Sequence, residues 1–312
     1  MKSTDDLDRG SEIAHRRYGS FMGLAAYTLW GFFPLYFKAL DHVSAPEILA
    51  HRIIWCAGSL LLFVLLTGAG PQLRSLILDR KTLGTLVLTT LLVSTNWFVF
   101  IYAVISEKVL ESSLGYYINP LVSVFLAAVF LGERLTGRQK LSIALAAAGV
   151  VIQTVMVGRL PVISIILAFT FGLYGLIRKA ARVPAVTGLA VETALLTPLA
   201  LSYLLWLISR GELSFTNVGI ETDLLLFLSG MVTATPLILY GGALNRLRLS
   251  TMGIMQYIVP TCHFAWAVFG FGEPFTTSHL VSFGFIWAAL ILYSSESMGI
   301  SRIVTQANIR IN

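Results

Sequence analysis

Over 312 residues, 56% are hydrophobic and 12% charged, against roughly 25% charged in ordinary soluble domains, so too few charges remain to cover a water-facing surface. Lys and Arg outnumber Asp and Glu by 22 to 16. No basic groove with interleaved aromatics accompanies that excess, which excludes nucleic acid as a partner and leaves the lipid bilayer as the surroundings the positive balance reports on.

A spanning helix needs about 20 mostly apolar residues to cross about 30 Å of hydrocarbon. In chain order that ruler predicts ten spans, 19–38, 45–67, 83–105, 112–131, 140–157, 161–180, 185–208, 223–244, 250–271 and 278–297. Ahead of the first, residues 1–18 mix Asp5, Asp6, Asp8 and Glu12 with Arg9, His15, Arg16 and Arg17 and lack the layout of a signal peptide. The first helix is therefore expected to remain in the mature chain. With the N-terminus inside, 17 of the 22 Lys and Arg fall in cytoplasmic segments, and the outside holds only Lys38, Lys108, Arg159 and Arg210. Arg52 is left within the second span. Both termini are thus expected in the cytoplasm.

A shift of 140 residues superposes Tyr117-Ile118-Asn119-Pro120 on Tyr257-Ile258-Val259-Pro260, Gly132-Glu133 on Gly272-Glu273, and Thr136 on Thr276. The expected organisation is a cytoplasmic segment 1–18, a first five-helix repeat 19–157, a second 161–297, and a cytoplasmic tail 298–312. Five spans per unit is odd, so the second copy enters from the opposite side. This is the inverted repeat of many secondary transporters, which place solute at the repeat interface. The solute path is therefore expected between the halves, lined by the first, third, fourth, sixth, eighth and ninth spans.

The runs Glu47-Ile48-Leu49-Ala50-His51-Arg52, Asn96-Trp97, Leu114-Gly115-Tyr116-Tyr117-Ile118-Asn119-Pro120, Phe130-Leu131-Gly132-Glu133-Arg134 and Arg248-Leu249-Ser250-Thr251 resemble those of the RarD-type permeases, in the EamA branch of the drug/metabolite transporter superfamily. The likeness extends from about Gly19 to Tyr293. It implies an all-α integral membrane protein of ten helices in a bacterial inner membrane, moving small metabolites or drug-like solutes. It implies no particular cargo and no oligomeric state.

Ionisable groups at membrane depth are functional candidates by default. Arg52 lies seven residues, about 10 Å, below the outer start of its helix. Glu192 stands 140 residues later, at matching depth from the inner face. Either the two line a path, bridged by their long side chains or a water so that Glu192 couples proton movement to access, or each finds separate structural partners. On the bridged reading Glu192→Gln keeps the fold. His51 is a packing residue or a proton relay. Pro120 and Pro260 fall inside apolar helices, where proline frees a carbonyl and bends the axis, and Tyr117, Asn119, Gln256 and Tyr257 place polar groups beside those kinks. The kinks serve a solute site or packing alone. Trp30, Asn96, Trp97 and Tyr102 add aromatic and amide surface, as path lining or as interface anchors. Gly19 and Gly23 have the spacing for close helix approach.

Cys56 and Cys262 lie in apolar runs without CxxC spacing or a neighbouring His cluster, and are expected to be buried small hydrophobes. No metal or cofactor is expected. HExxH, GxSxG, P-loop and dinucleotide fingerprints do not occur, which weighs against an enzyme. A non-transporting scaffold or sensor is the other alternative, and it requires a wholly apolar, closed centre.

Overall fold

The computed structural model describes residues 4–311 except 133, 245, 248–250, 253 and 254, and side chains within 17–295 apart from 131, 179 and 244 as well. Glu133 of the repeat and Arg248-Leu249-Ser250 of the family-like runs lie outside the described residues. The helices are α1 (Thr4–Gly31), α2 (Phe33–Lys38), α3 (Ala45–Leu66), α4 (Gly70–Leu78), α5 (Arg80–Ile105), α6 (Val109–Leu131), α7 (Gly137–Val157), α8 (Val162–Ala181), α9 (Ala185–Arg210), α10 (Ile220–Leu244), α11 (Ile258–Ala265) and α12 (Thr277–Ile311), with a π-helical turn at Trp266–Gly270 after α11.

Seven of these, α3, α5, α6, α7, α9, α10 and α12, contain stretches long and apolar enough to cross a membrane. Shorter apolar stretches, Val162–Arg178 and Ile258–Gly270, fall on the expected sixth and ninth spans. The first expected span is broken at Phe32, with Pro34 in the first turn of the short α2. A proline is tolerated there because the first N–H groups of a helix have no partner within it. The amphipathic α4 in the 67–80 link was not foreseen from the sequence.

Helix ends recur at the repeat spacing. Gly132 and Gly272 both take the left-handed conformation, φ 67° and 68°, which glycine adopts without a Cβ penalty. Thr136 and Gln139 form a reciprocal cap on α7. Thr276 repeats half of it before α12, its N–H donating to His279 Nδ1 at 3.3 Å.

α3 packs on α9 and α10, α5 and α6 on α8, α1 on α10 and α11, and α7 on α12. Small residues set the closest approaches. A Cβ on Gly31 would meet Cys262 Cβ at 2.8 Å, and one on Gly172 would meet Val122 Cγ1 at 3.3 Å. Val122 and Cys262 are 140 residues apart and Gly31 and Gly172 are 141 apart, so the α1–α11 crossing and the α8–α6 crossing are counterparts. Gly23 faces Ala243 and Met255, the close approach its spacing predicts.

Candidate functional site

Arg52 sits two turns into α3 and is 3% exposed. Its guanidinium carbon lies 4.2 Å from the Trp97 ring centroid, 5.3 Å from Phe37 and 5.5 Å from Phe33. Each desolvated cation–ring contact contributes up to about 2 kcal/mol, but rings satisfy no N–H. Nε and Nη1 have no hydrogen-bond partner, and among the described residues no carboxylate pairs with this Arg.

The aromatic wall continues inward. Phe37 meets Phe100 edge-on at 6.0 Å, and Phe100 stacks on His263 at 5.2 Å. Tyr116 of α6 closes on both Phe100 and His263. His263 is buried, its Nε2 donates to the Trp30 carbonyl at 3.1 Å, and its Nδ1 has no partner. Trp30 packs with Tyr27 and Tyr240. Asn96, one residue from Trp97, donates to the Leu167 carbonyl at 3.1 Å and to Thr170 Oγ1 at 3.0 Å, binding α5 to α8. Helices α1, α2, α3, α5, α6 and α11 thus converge here. Sequence reasoning missed His263 and Tyr116. Tyr116 could have been found, since on a helix it faces about 100° away from its neighbour Tyr117.

Glu192, fully buried, does not meet Arg52. It accepts from Arg178 Nη1 at 3.0 Å, Thr89 Oγ1 at 2.5 Å and the Tyr174 hydroxyl at 3.1 Å. Arg178 also donates through Nη2 to the Pro184 and Ala185 carbonyls. Of the two readings left open by the sequence, this arrangement corresponds to separate partners. Arg178 had been counted with the cytoplasmic loop charges because it sits in the last turn of α8; its long side chain folds back over Gly188, where a Cβ would come within 2.1 Å of Nη1.

The remaining candidates disperse. His51 accepts from Trp55 Nε1 at 3.3 Å and stacks on Phe215 at 4.9 Å, on the side of α3 facing the 211–219 loop. Asn119 donates to the Ala168 carbonyl at 3.0 Å and is within 3.5 Å of Gln256 Nε2, linking α6, α8 and the segment before α11. Tyr117 bonds Thr261 at 2.9 Å and faces Phe283 and Trp287 of α12, and Tyr257 packs against the same cluster. Tyr102 is 41% exposed, stacked on Phe98 beneath Lys108, which corrects its expected place beside the path. The two prolines are not a matched pair. α6 runs helically through Pro120, whereas Pro260 lies in the first turn of α11 after a break at Gln256–Tyr257. Proline there removes no intrahelical bond. Pro198 and Pro236, inside α9 and α10, were not singled out from the sequence.

At the end holding the starts of α3, α6 and α8, carboxylates bind backbone N–H groups across elements. Glu47 accepts from Ser214 and Phe215, Glu111 from Ile163, and Glu273 from Val109 at 2.7 Å and Leu110 at 2.8 Å. The Tyr36 hydroxyl donates to the Leu225 carbonyl, and His42 bonds Thr222. Burial pushes the Glu273 carboxyl above the usual carboxylate range, against the two N–H groups that hold it down. At the opposite end a cavity of about 610 Å³ lies between α5, α6 and α8, lined by Lys81, Thr82, Thr85, Phe130, Leu173 and Ile177 among others. Among the described residues no cluster of three or more His, Cys, Asp or Glu is placed to hold a metal.

Long apolar helices, packed through glycines around buried charges, define a multi-pass helical membrane protein. The EamA-like transporter family matches over residues 17–155. A transporter of Vibrio cholerae is 44% identical over 284 residues, 90% of this chain and 93% of its own. The protein RarD of Escherichia coli K12 is 40% identical over 282 residues, 90% and 95% of the two chains. The transporter YojE of Bacillus subtilis is 43% identical over 290 residues, covering 90% and 95%. A solved crystal structure shares the fold with a TM-score of 0.56 at 20% identity, covering 88% of this chain and 96% of its own. The chain belongs to the RarD-like proteins of the EamA-like, drug/metabolite transporter family.

Proposed function

We propose that this protein is a secondary transporter moving small metabolites or drug-like solutes across the bacterial inner membrane by alternating access. The proposal takes ten spans, counting α1 with α2 as the first and α11 with its π turn as the ninth. They form inverted repeats 19–157 and 161–297, between a cytoplasmic segment 1–18 and tail 298–312. The observation that carries it is the counterpart packing of the halves: α1 crosses α11 at Gly31 as α8 crosses α6 at Gly172. Inverted repeats that exchange equivalent contacts give two states of similar energy, open to opposite sides. The relatives' names as transporters agree with it.

In this reading the carboxylate-latched end is the closed outer side, and the cavity beside Lys81 belongs to the open inner side. The path runs past Arg52, Trp97, Asn96 and Trp30, with His263 and Tyr116 added, and continues along Asn119 and Gln256 toward Glu192. Tyr117, Tyr257 and His51 hold the walls from behind. Proteoliposomes holding only this protein and loaded with a metabolite mixture test the proposal by mass spectrometry of both compartments. The expected result is a small set of solutes that cross with the protein and not in empty liposomes. Equal profiles in both would reject transport.

A further inference from the structure

We infer that Arg52 binds the headgroup of a small organic monocarboxylate, with the solute's apolar body against the surrounding rings. This rests on the transporter reading and names its cargo class. A lone guanidinium 3% exposed at membrane depth is costly unless a counter-charge or hydrogen-bond acceptor joins it. The other charge at matching depth, Glu192, is taken by Arg178. Trp97, Phe37 and Phe33 approach within 4.2–5.5 Å of the guanidinium carbon. Rings stabilise the charge through its face, and the N–H groups point outward in the guanidinium plane.

Nε and Nη1, both free of partners, form adjacent donors on one edge of the fork. That is the geometry that meets the two oxygens of a carboxylate. One uncompensated cation selects one negative charge: a neutral solute leaves the fork unpaired, a cation is repelled, and a dianion carries net charge into the membrane. The walls beyond, Phe100 and Tyr116, are aromatic and suit an apolar body.

The test is thermal unfolding of the intact protein in lipid nanodiscs, titrated with benzoate, benzamide or chloride. Benzoate is expected to raise the melting temperature of the wild type in a saturable way, benzamide and chloride not. Arg52→Met is expected to weaken benzoate binding about a hundredfold and Arg52→Lys, which keeps the charge without the fork, about tenfold. Because the Met variant can fail to fold, the wild-type comparison of benzoate with benzamide decides alone if it does. Equal shifts from benzoate and benzamide, a shift from chloride matching that from benzoate, no benzoate shift at all, or full benzoate affinity in Arg52→Lys would each overturn the inference. Benzoate binding in a protein that moves no solute would instead reject the transport reading while the site stands, and movement of neutral solutes only, without a benzoate shift, would do the reverse.

Discussion

Two charged side chains placed alike in the two halves are treated in opposite ways. Glu192 is neutralised by Arg178 and held by Thr89 and Tyr174, whereas Arg52 has only rings. Removing one member of a buried pair costs about 3–5 kcal/mol, mostly through the charge left behind. Arg178→Gln and Glu192→Gln are each expected to destabilise by that amount in reversible unfolding from mixed micelles. The double variant is expected to lose much less than their sum, and additive losses would show that the pair is not coupled. Glu192→Gln therefore does not leave the fold untouched, as the bridged reading required. Arg52 and Glu192 stood out in the sequence because an ionisable residue deep in an apolar run has no other explanation. Arg178 did not, since a basic residue in the last turn of a helix looks like a loop charge until its side chain is seen to turn back. His263 was a lone histidine in an apolar run, and nothing local distinguishes a wall residue from core.

At the scale of elements, interruptions matter more than span limits. The limits were legible because twenty apolar residues have one use in a membrane. The break at Phe32, the turn at Gln256–Tyr257 and the π turn depend on neighbours: Phe271 N–H reaches the Trp266 carbonyl at 2.7 Å, and Glu273 fixes the segment after it onto the start of α6. Glu273→Ala would leave the Val109 and Leu110 N–H groups without their carboxylate, at a cost of about 1–3 kcal/mol. It is expected to lower the unfolding midpoint and to speed hydrogen exchange at those two amides; unchanged exchange would show that the latch is dispensable. The prolines, alike in sequence, separate here. Pro120→Ala lets the N–H at 120 bond the Tyr116 carbonyl and straighten α6, and is expected to slow solute movement more than it reduces membrane insertion. Pro260→Ala, in a first turn, is expected to change both little. Equal effects would mean that α6 gains nothing from its missing bond.

For the whole molecule, the repeat was legible as three landmarks at one offset, and the structure gives two of them a physical cause. Gly132 and Gly272 turn with positive φ, and Thr136 and Thr276 start the helices that follow. The partners of each half were not legible, because helix contacts between halves leave no periodic trace in an apolar sequence. The central claim is that the two halves exchange access to one path, and a carrier differs from a channel in that solute on the far side speeds its return. The direct measurement is trans-stimulation: proteoliposomes preloaded with an unlabelled metabolite mixture, or left empty, are exposed to the same mixture isotopically labelled, and initial uptake of each solute is followed by mass spectrometry. Faster uptake into the preloaded vesicles, for a few solutes and only with the protein present, is the predicted result; uptake indifferent to preloading, or no different from protein-free liposomes, would contradict the account.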